Sequence, residues 1–474
     1  MNISQVDYNV LKQPFINKYI KLNILDFEYN TVYEISGNVT SCSVSVNADS
    51  DLRRSCSISM VVTNSNFDIK SGSPIWLDKF IQPFIGYYNI QTQEIQWYNQ
   101  GIYLINQPTW EYNPVSNTLS FQGLDLMSKL TGLRNGNLEG IPTVIEQGEN
   151  VREVIIATLE EAGFTKYIVA ECENSDGTIQ EVPYEIQISQ GGTVYNILSE
   201  LRDILPQYQI YFDIDGVFHY DLIPSGDDDP VLIDDDLWNN ILASENINTD
   251  FESVKNVIEI YGKTHDVSYY STETTVSNGV ISLTIPDFAS AVTEEYTLIG
   301  FTLPTSITNT NVSIDINEFG AENLVNYNGD RITDLEADVY YCANYQSNGT
   351  WLFLGHQQAQ AVIEDTNVDS PFYVNGTVGR IRIALYGGDY DNITSDDLAM
   401  ERAKLELYWR CRLNDSITLN CVPIPWLDVN IIISHALKGG ETQNKYMIKS
   451  FNMNYGENAG MTINAITYYP YYEI

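Results

Sequence analysis

The sequence predicts a mainly β protein, α+β overall, and three observations lead to this prediction. Polar and apolar residues alternate through most of the first 125 residues, as in half-buried strands. Helical spacing of apolar residues is confined to a few short segments. The chain of 474 residues, 43% hydrophobic and 12% aromatic, has a globular composition and is long enough for roughly two to four domains.

The first β domain is predicted over residues 1–126. Its alternating segments include YIKLNIL, GIYLINQ and NTLSFQG, which lie at residues 19–25, 101–107 and 117–123. Proline and glycine stand mainly between these segments, where turns are expected. The pattern indicates antiparallel strands of a sheet or barrel.

A nearly repeated hexapeptide, SCSVSV and then SCSISM, lies within residues 41–62. The polar segment between the copies favours a turn, so the copies are predicted to form one hairpin. Alternate side chains share a face of a strand. One face should therefore be apolar and contain Cys42 and Cys56, and the other should be a row of serines: Ser41, Ser43, Ser45, Ser55, Ser57 and Ser59.

A turn centred near residues 50–51 sets the expected register of this hairpin. Cys42 should then lie opposite residues 59–60, and Cys56 opposite residues 45–46. The two thiols would be about 13 Å apart at ~3.3 Å per residue, which is too far for a disulfide.

A small α+β domain is predicted over residues 127–224. Asn150 and Thr193 are expected to cap two helices, since each precedes a run of apolar residues at helical spacing. Gly163 can end the first helix, and Pro206 the second. The segment YQIYFDIDGVFHYDLIP should form a hairpin that turns at residues 214–216.

Residues 225–253 are interpreted as an exposed acidic connection, because two aspartate runs, at 227–229 and 234–236, flank Pro230. Residues 254–474 are predicted to form a second β domain with a β-rich insertion around 265–370. One helix should begin at Ser395 and run to about Arg412. Its stripe of Ala399, Ala403 and Leu407 is expected to pack on its own sheet.

The chain is strongly acidic, with 24 Lys+Arg against 63 Asp+Glu and a formal net charge of −39. Such a charge repels phosphates and argues against specific binding of DNA or RNA. The N-terminal residues lack a secretory signal pattern, and no stretch has the ~18 apolar residues of a membrane helix. We therefore expect synthesis in a cytoplasm with reduced cysteines.

The sequence contains few residues in patterns typical of catalytic or metal-binding sites. Its four histidines are isolated and belong to no known catalytic motif, and its six cysteines form no C-x2-C pair of the kind that binds zinc. DIDG at 213–216 resembles the start of a calcium loop, but Pro224 stands where an EF-hand needs glutamate, so a hairpin turn explains it better. We expect no catalytic residues, no cofactor and no structural metal.

From about residue 370 onward the sequence resembles a known family. After a strand that ends at Tyr386-Gly-Gly come a DDLAMERA helix, the segment LNDSITLNCVPIPWLDVN and a closing hairpin KYMIKSFNMNYGENAGMTINAITYYP. This combination resembles bacteriophage tail hub, or tail-tip, structural proteins. Many relatives place Gly-Asp before the strand that follows the Pro-rich turn, whereas this chain has Val429-Asn430.

The resemblance implies two β-barrel domains similar to tail-tube subunits, with smaller α/β domains attached. It further implies a homotrimeric ring that adapts a six-fold tube to a three-fold tip and forms part of the DNA conduit. The expected neighbours are tube or distal tail proteins on one side, and tip, spike or receptor-binding proteins on the other. The serine rows are then candidates for the lumen or for the surface on which rings stack.

Two other functions remain open from the sequence. The tyrosines, tryptophans and acidic groups also suit a glycan-binding, adhesive β protein. A cell-wall hydrolase that uses two carboxylates is the second alternative, because a chain with 63 acidic residues brings some of them close together in any fold.

Overall fold

The structure is a computed structural model of the chain. It describes residues 5–62, 67–112, 115, 117–138, 143–172, 179–182, 186–204, 208–223, 235–289, 297–436, 443–456 and 459–467. Strands greatly outnumber helices in these ranges, which confirms the mainly β prediction. The chain divides into two compact units: the described residues up to Thr249 with those from Asp415 onward, and residues 250–414.

The described part of the first 125 residues is mostly strand. Buried and exposed side chains alternate as predicted in Val39–Asn47, Arg54–Val61 and Asn117–Asp125. Lys18–Leu25 instead ends in four buried residues and Tyr103–Tyr112 begins with three, so the alternation predicted for residues 19–25 and 101–107 is wrong. The elements are α1 (Gln5–Leu11), β1 (Lys18–Leu25), β2 (Thr31–Ser36), β3 (Val39–Asn47), β4 (Arg54–Val61), β5 (Phe80–Asn89), β6 (Glu94–Asn99), β7 (Tyr103–Tyr112) and β8 (Asn117–Asp125). A short 3-10 turn, Leu126–Lys129, follows β8, and Asp125 caps it.

The small α+β module comes next, with the two helices that the sequence predicts. Its elements are β9 (Thr143–Ile145), α2 (Val151–Glu161), β10 (Tyr167–Val169), β11 (Ile186–Ile188), α3 (Val194–Ile204), β12 (Tyr208–Phe212) and β13 (Phe218–Leu222). Asn150 Oδ1 accepts a hydrogen bond from Glu153 N at 3.2 Å, as expected of an N-cap. Gly163 adopts φ +82°, the left-handed conformation that favours glycine after a helix.

The segment interpreted as an acidic connection contains two elements, α4 (Asp235–Ile241) and β14 (Leu242–Asp250). Leu237, Trp238 and Ile241 are almost fully buried in the core of the first unit. These apolar residues, rather than the neighbouring aspartates, determine the local structure. The aspartate run at 227–229, like Asp234, lies outside the described residues.

In its described residues, 250–289 and 297–414, the second unit has two sheets and one α-helix. Its elements are β15 (Val257–Thr264), β16 (Tyr269–Tyr270), β17 (Glu273–Ser277), β18 (Val280–Thr284), β19 (Leu298–Thr302), β20 (Ser313–Ile316), β21 (Ala321–Val325), β22 (Tyr340–Tyr345), β23 (Trp351–His356), β24 (Gln358–Glu364), β25 (Arg382–Tyr386) and α5 (Asp396–Arg410). Strands β24-β15-β25 form a three-stranded sheet, and β16-β19-β22-β23-β21-β20-β18-β17 form an eight-stranded sheet.

Helix α5 packs on the three-stranded sheet of its own unit. Ser395 caps it by accepting a hydrogen bond from Leu398 N, and Ala399 and Ala403 are fully buried. Both alanines belong to a cluster with Ile258 of β15, so the prediction that this stripe packs on its own sheet is confirmed.

The C-terminal strands join the N-terminal ones in a single sheet. They are β26 (Asn414–Cys421), β27 (Ile432–Ala436), β28 (Gln443–Asn454) and β29 (Gly460–Thr467). The thirteen-stranded sheet runs β14-β26-β29-β28-β3-β4-β8-β7-β5-β1-β2, with β27 beside β28 and β6 beside β5. Residues from 415 onward therefore lie with the N-terminal strands, whereas the predicted division placed them with residues 254–414.

One apolar core joins the two ends of this sheet. Side chains of β1 and β5 share a cluster with those of β26 and β29, so the sheet curves around the core. Two hydrogen bonds link the ends directly: Tyr87 Oη donates to Pro423 O at 2.7 Å, and Gln100 Nε2 donates to Pro425 O at 2.9 Å.

Candidate functional site

The serine rows lie where the sequence places them, on one face of the hairpin β3–β4. Cys42, Val44 and Val46 alternate with the serines of β3 and are at most 1% exposed. The serines of β4 alternate in the same way with buried side chains, and all six serines of the two rows are half-buried or exposed. The hairpin pairs them across the strands: Ser41 with Ser59, Ser43 with Ser57 and Ser45 with Ser55.

The predicted register of the hairpin is wrong by one to two residues. Cys42 lies opposite Ile58, and Cys56 lies opposite Val44. The reason is that Asn47 N donates to Arg53 O, which centres the turn on Ser50. The cysteines are therefore diagonal neighbours, which are about 7–8 Å apart, closer than predicted.

Both thiols are nevertheless free, as are the other four cysteines of the chain. Burial raises the pKa of Cys42 to about 12. Burial, together with the nearby Cys42, also raises the pKa of Cys56. Thiols with raised pKa values stay protonated and react slowly, so this pair has a packing role.

The serine rows belong to a much larger polar surface, which we call the neutral face. Direct partners in an antiparallel sheet point to the same side. The pairings place polar side chains of neighbouring strands beside the serines: Asn452 opposite Ser45, Asn454 opposite Ser43, Gln122 opposite Ser57 and Ser120 opposite Ser59. The same face continues onto β29 and β26 through Thr462, Asn464, Thr418 and Asn420, and onto β7 through Asn106.

Hydrogen bonds between side chains connect the strands across the neutral face. Asn420 is a junction, since its Nδ2 donates to Ser244 Oγ at 2.9 Å and its Oδ1 accepts from Thr462 Oγ1 at 2.8 Å. Other links join Thr418 to Asn464 at 3.1 Å, Asn464 to Ser450 at 3.1 Å and Ser59 to Ser120 at 2.9 Å. The polar groups thus satisfy one another as well as facing solvent.

None of these residues of the neutral face carries a charge, although acidic residues make up much of the sequence. The charges beside it include the exposed Glu111, which pairs with Thr118 on the same face of the sheet, and the pair of Lys449 and Asp49 at the β3–β4 turn, 2.8 Å apart. A wide surface of hydroxyl and amide groups neither attracts nor repels a polyanion strongly. Sequence reasoning found its two serine strands and missed the others, because alternation identifies a strand without identifying its neighbours.

A buried ionic cluster, which sequence reasoning missed, supports one end of the hairpin. Arg54 Nη2 lies 2.5 Å from Asp428 Oδ2, and Arg53 Nη2 donates to Gln209 Oε1 at 2.7 Å. Asn430 adopts φ +55° and donates to the same Gln209 oxygen at 2.6 Å. Asparagine tolerates this left-handed conformation better than most residues.

The four histidines are held by hydrogen bonds. His356 Nδ1 lies 2.6 Å from Asp396, His435 Nε2 lies 2.7 Å from Glu245 and His265 Nε2 lies 2.8 Å from Thr394 O. His219 bridges the carboxylates of Asp213 and Asp221, at 3.1 and 3.2 Å.

The DIDG segment forms the hairpin turn between β12 and β13, as predicted. Asp213 Oδ1 accepts hydrogen bonds from the backbone N–H groups of Asp215 and Val217, and Gly216 adopts φ +76°. In the part of the chain that the structure describes, no group of three or more His, Cys, Asp or Glu side chains could hold a metal ion. The helices described there include none that is long and apolar enough to cross a membrane.

The chain was compared with protein families, with curated proteins and with solved structures. Residues 369–472 match a family described as a domain of unknown function, DUF5048. No curated protein matches the sequence. The 43 kDa tail protein of prophage MuSo2 from Shewanella oneidensis has a similar structure, with a TM-score of 0.51 and 9% identity over 95% of this chain and 98% of that one.

A second similar structure is the tail protein from Neisseria meningitidis MC58. Its TM-score is 0.50, with 10% identity over 95% of this chain and 96% of that one. The chain thus has a fold similar to that of these two tail proteins. The resemblance to phage tail hub proteins, found in the sequence, is confirmed at the level of the fold.

Proposed function

We propose that the chain is a structural protein of a phage tail that forms a homotrimeric ring between the tail tube and the tip. The observation that carries the proposal is the neutral face on a fold shared with prophage tail proteins. Each chain contributes two sets of strands to its large sheet, from residues 18–125 and from 242–250 with 414–467. Three chains would supply six sets, which suits an adaptor between six-fold and three-fold symmetry.

In this ring the neutral face lines the lumen through which DNA passes. A basic wall would hold phosphates and make passage depend on salt. The uncharged serine, threonine and asparagine side chains avoid that attraction. Their mutual hydrogen bonds also reduce their tendency to bind bases, because many of their donors and acceptors are already engaged.

The proposed location is the virion tail, at its tip or baseplate, after assembly in the host cytoplasm. Tube or distal tail proteins would bind on one side, and tip, spike or receptor-binding proteins on the other. DNA would pass without specific recognition. This role needs no catalytic residue and no cofactor, and the described residues offer no observation that favours the hydrolase alternative.

Electron microscopy of the purified chain, alone and mixed with its tube protein, tests the proposal. We expect particles with three-fold symmetry and a central hole, and mass photometry should give three times the mass of 53.6 kDa. A map of the ring should place β3 and β4 around the hole. A particle that stays monomeric with tube protein present, or a ring with the neutral face on its outside, would contradict the proposal.

A further inference from the structure

A polar cleft of about 570 Å³ opens on the second unit, far in sequence from the neutral face. Ligand sites commonly have volumes of about 300–1,000 Å³. The residues that line it are Tyr270, Ser271, Thr272, Thr274, Thr302, Leu303, Pro304, Asp338, Tyr340 and Gln357. All of them lie in the eight-stranded sheet or next to its strands.

Two tyrosines form the aromatic part of the cleft, and a glycine in the neighbouring strand makes room for one of them. Tyr270 pairs with Gly300 in the sheet, and Tyr340 pairs with Thr302, the residue two positions further along β19. The Tyr340 hydroxyl lies directly over Gly300, where a Cβ atom would come within 1.9 Å of it. Glycine at this position therefore lets the Tyr340 side chain lie across the sheet towards Tyr270, which is 61% exposed.

Hydroxyl groups surround the tyrosines. Ser271 Oγ donates to Glu273 O at 2.7 Å, and Thr272 Oγ1 donates to Thr284 O at 3.1 Å. Because these protons are used by backbone carbonyls, the Thr272 oxygen remains available as an acceptor, and the Ser271 oxygen, which already accepts from Thr274 Oγ1 at 3.2 Å, has one lone pair left. Exposed Thr302 and Gln357 add further hydrogen-bonding groups.

The charge of the cleft selects against anions. Asp338 is its one charged lining residue, and no lysine, arginine or histidine is among the lining residues. Asp338 is exposed to solvent. Its carboxylate can accept hydrogen bonds from two neighbouring hydroxyl groups of one ligand.

We propose that this cleft binds a neutral saccharide. The apolar faces of sugar rings would pack on Tyr270 and Tyr340, since aromatic rings offer flat apolar area at low entropic cost. Sugar hydroxyls would donate to Asp338 and to the oxygens of Ser271 and Thr272. The inference concerns the second unit only and does not depend on the proposed ring.

Titration of the full chain with neutral tetrasaccharides of glucose, galactose and N-acetylglucosamine tests this proposal by ligand-observed NMR and calorimetry. An open, solvated cleft should give a dissociation constant of about 0.1–3 mM, that is, roughly −5.5 to −3.4 kcal/mol. We expect at least one neutral saccharide to bind, and a galacturonic acid tetrasaccharide to bind at least tenfold more weakly. Asp338→Asn should reduce that discrimination.

Two substitutions and one control locate the binding. Tyr270→Ala removes an exposed ring and should weaken binding at least tenfold, and Thr302→Arg should block the cleft. Tyr386→Ala removes an even more exposed tyrosine, 73% accessible, from the other sheet of this unit and should leave binding unchanged. Circular dichroism would show that each variant is folded.

Three outcomes would overturn the proposal: no binding of any neutral saccharide, equal binding by the wild type and Thr302→Arg, or binding of tetramethylammonium alone. The last would assign the two tyrosines and Asp338 to a cation instead. Because ring formation is not measured here, failure of this test leaves the proposed tail function unaffected. Failure of ring assembly would likewise leave the saccharide proposal standing.

Discussion

Arg54 and Asp428 form a partly buried ion pair, with Arg54 Nη2 and Asp428 Oδ2 2.5 Å apart although the two residues are 374 positions apart in the chain. The guanidinium side chain is 6% exposed. The backbone N–H of Arg54 also donates to Asp125 Oδ2 at 2.9 Å. The pair thus joins the beginning of β4 to the segment between β26 and β27, within the first unit.

Asp428→Ala should strongly destabilise the first unit. The substitution leaves a buried guanidinium without its carboxylate, and breaking such a pair costs about 3–5 kcal/mol. Urea unfolding, followed by circular dichroism, should show this loss as a lower midpoint.

The matched control is Asp68→Ala, which breaks an exposed pair. Lys70 Nζ lies 3.0 Å from Asp68, and the two side chains are 64% and 43% accessible. Exposed pairs contribute about 0–1 kcal/mol, so the control should change the midpoint little. Equal effects of the two substitutions would show that the Arg54 pair is not buried in solution.

The ion pair joins residues far apart in the chain, and contacts of this kind cannot be predicted from local sequence patterns. The alternation around Cys42 and Cys56 was enough to predict a hairpin, its buried face and its serine face. Side-chain periodicity identifies a strand and its two faces, but it does not identify the neighbouring strand. The pairing of β3 with β28, and with it most of the neutral face, depends on contacts between residues about 400 positions apart.

Short helices and exact turn positions are also difficult to predict from the sequence. Helix α4 has seven residues and begins inside the aspartate run at 234–236, so the sequence predicts an exposed connection where Leu237 and Trp238 are buried. Helices α2 and α5 were predicted because each has a cap and several turns of apolar periodicity. The position of the turn in β3–β4 was inferred to within one residue, which was enough for the faces and not for the register.

His219 should make the stability of the first unit depend on pH. Burial lowers its pKa, but the carboxylates of Asp213 and Asp221 outweigh this and raise it to about 9, from an ordinary value of 6.5. A raised folded pKa means that the protonated form stabilises the fold. This contribution should be complete below about pH 6.5 and should disappear as the pH rises through 9.

The measurement compares urea midpoints at pH 6 and pH 9.5 for the wild type and His219→Gln. The wild type should lose stability between these values by up to roughly 3 kcal/mol, given 1.36 kcal/mol per unit of pKa shift. The glutamine variant lacks this titrating group and should lose less by the His219 contribution, while the raised pKa values of the buried Cys42 and Cys56 thiols lower the stability of both proteins alike above about pH 9. The same loss in both proteins would show that other groups cause the pH dependence.

Ala403→Leu should lower the stability of the second unit. Ala403 is fully buried against a cluster that includes Ile258 and Ile260, so a larger side chain has no room. Overpacking of this kind costs about 1–3 kcal/mol. Thermal unfolding of the isolated chain should reveal it. If this stripe contacted a neighbouring subunit instead, the substitution would impair ring assembly and leave the isolated chain as stable as before.

Ser43→Arg combined with Ser57→Arg tests the role of the neutral face. The two serines are direct partners on adjacent strands, so the double variant places two positive charges side by side on the proposed lumen wall. Arginines near a passing phosphate backbone bind it in a salt-dependent way. Tails built with this variant should assemble normally and should release DNA several-fold more slowly at low salt than at high salt.

The control places the same charges elsewhere. Thr275→Arg with Ser277→Arg puts two arginines on exposed positions of β17, in the second unit. These tails should release DNA at the wild-type rate, because β17 lies outside the sheet that carries the neutral face. The ejection rate, measured from dye binding to released DNA, distinguishes the two variants. Equal rates for all three proteins at every salt concentration would show that DNA does not pass along the neutral face.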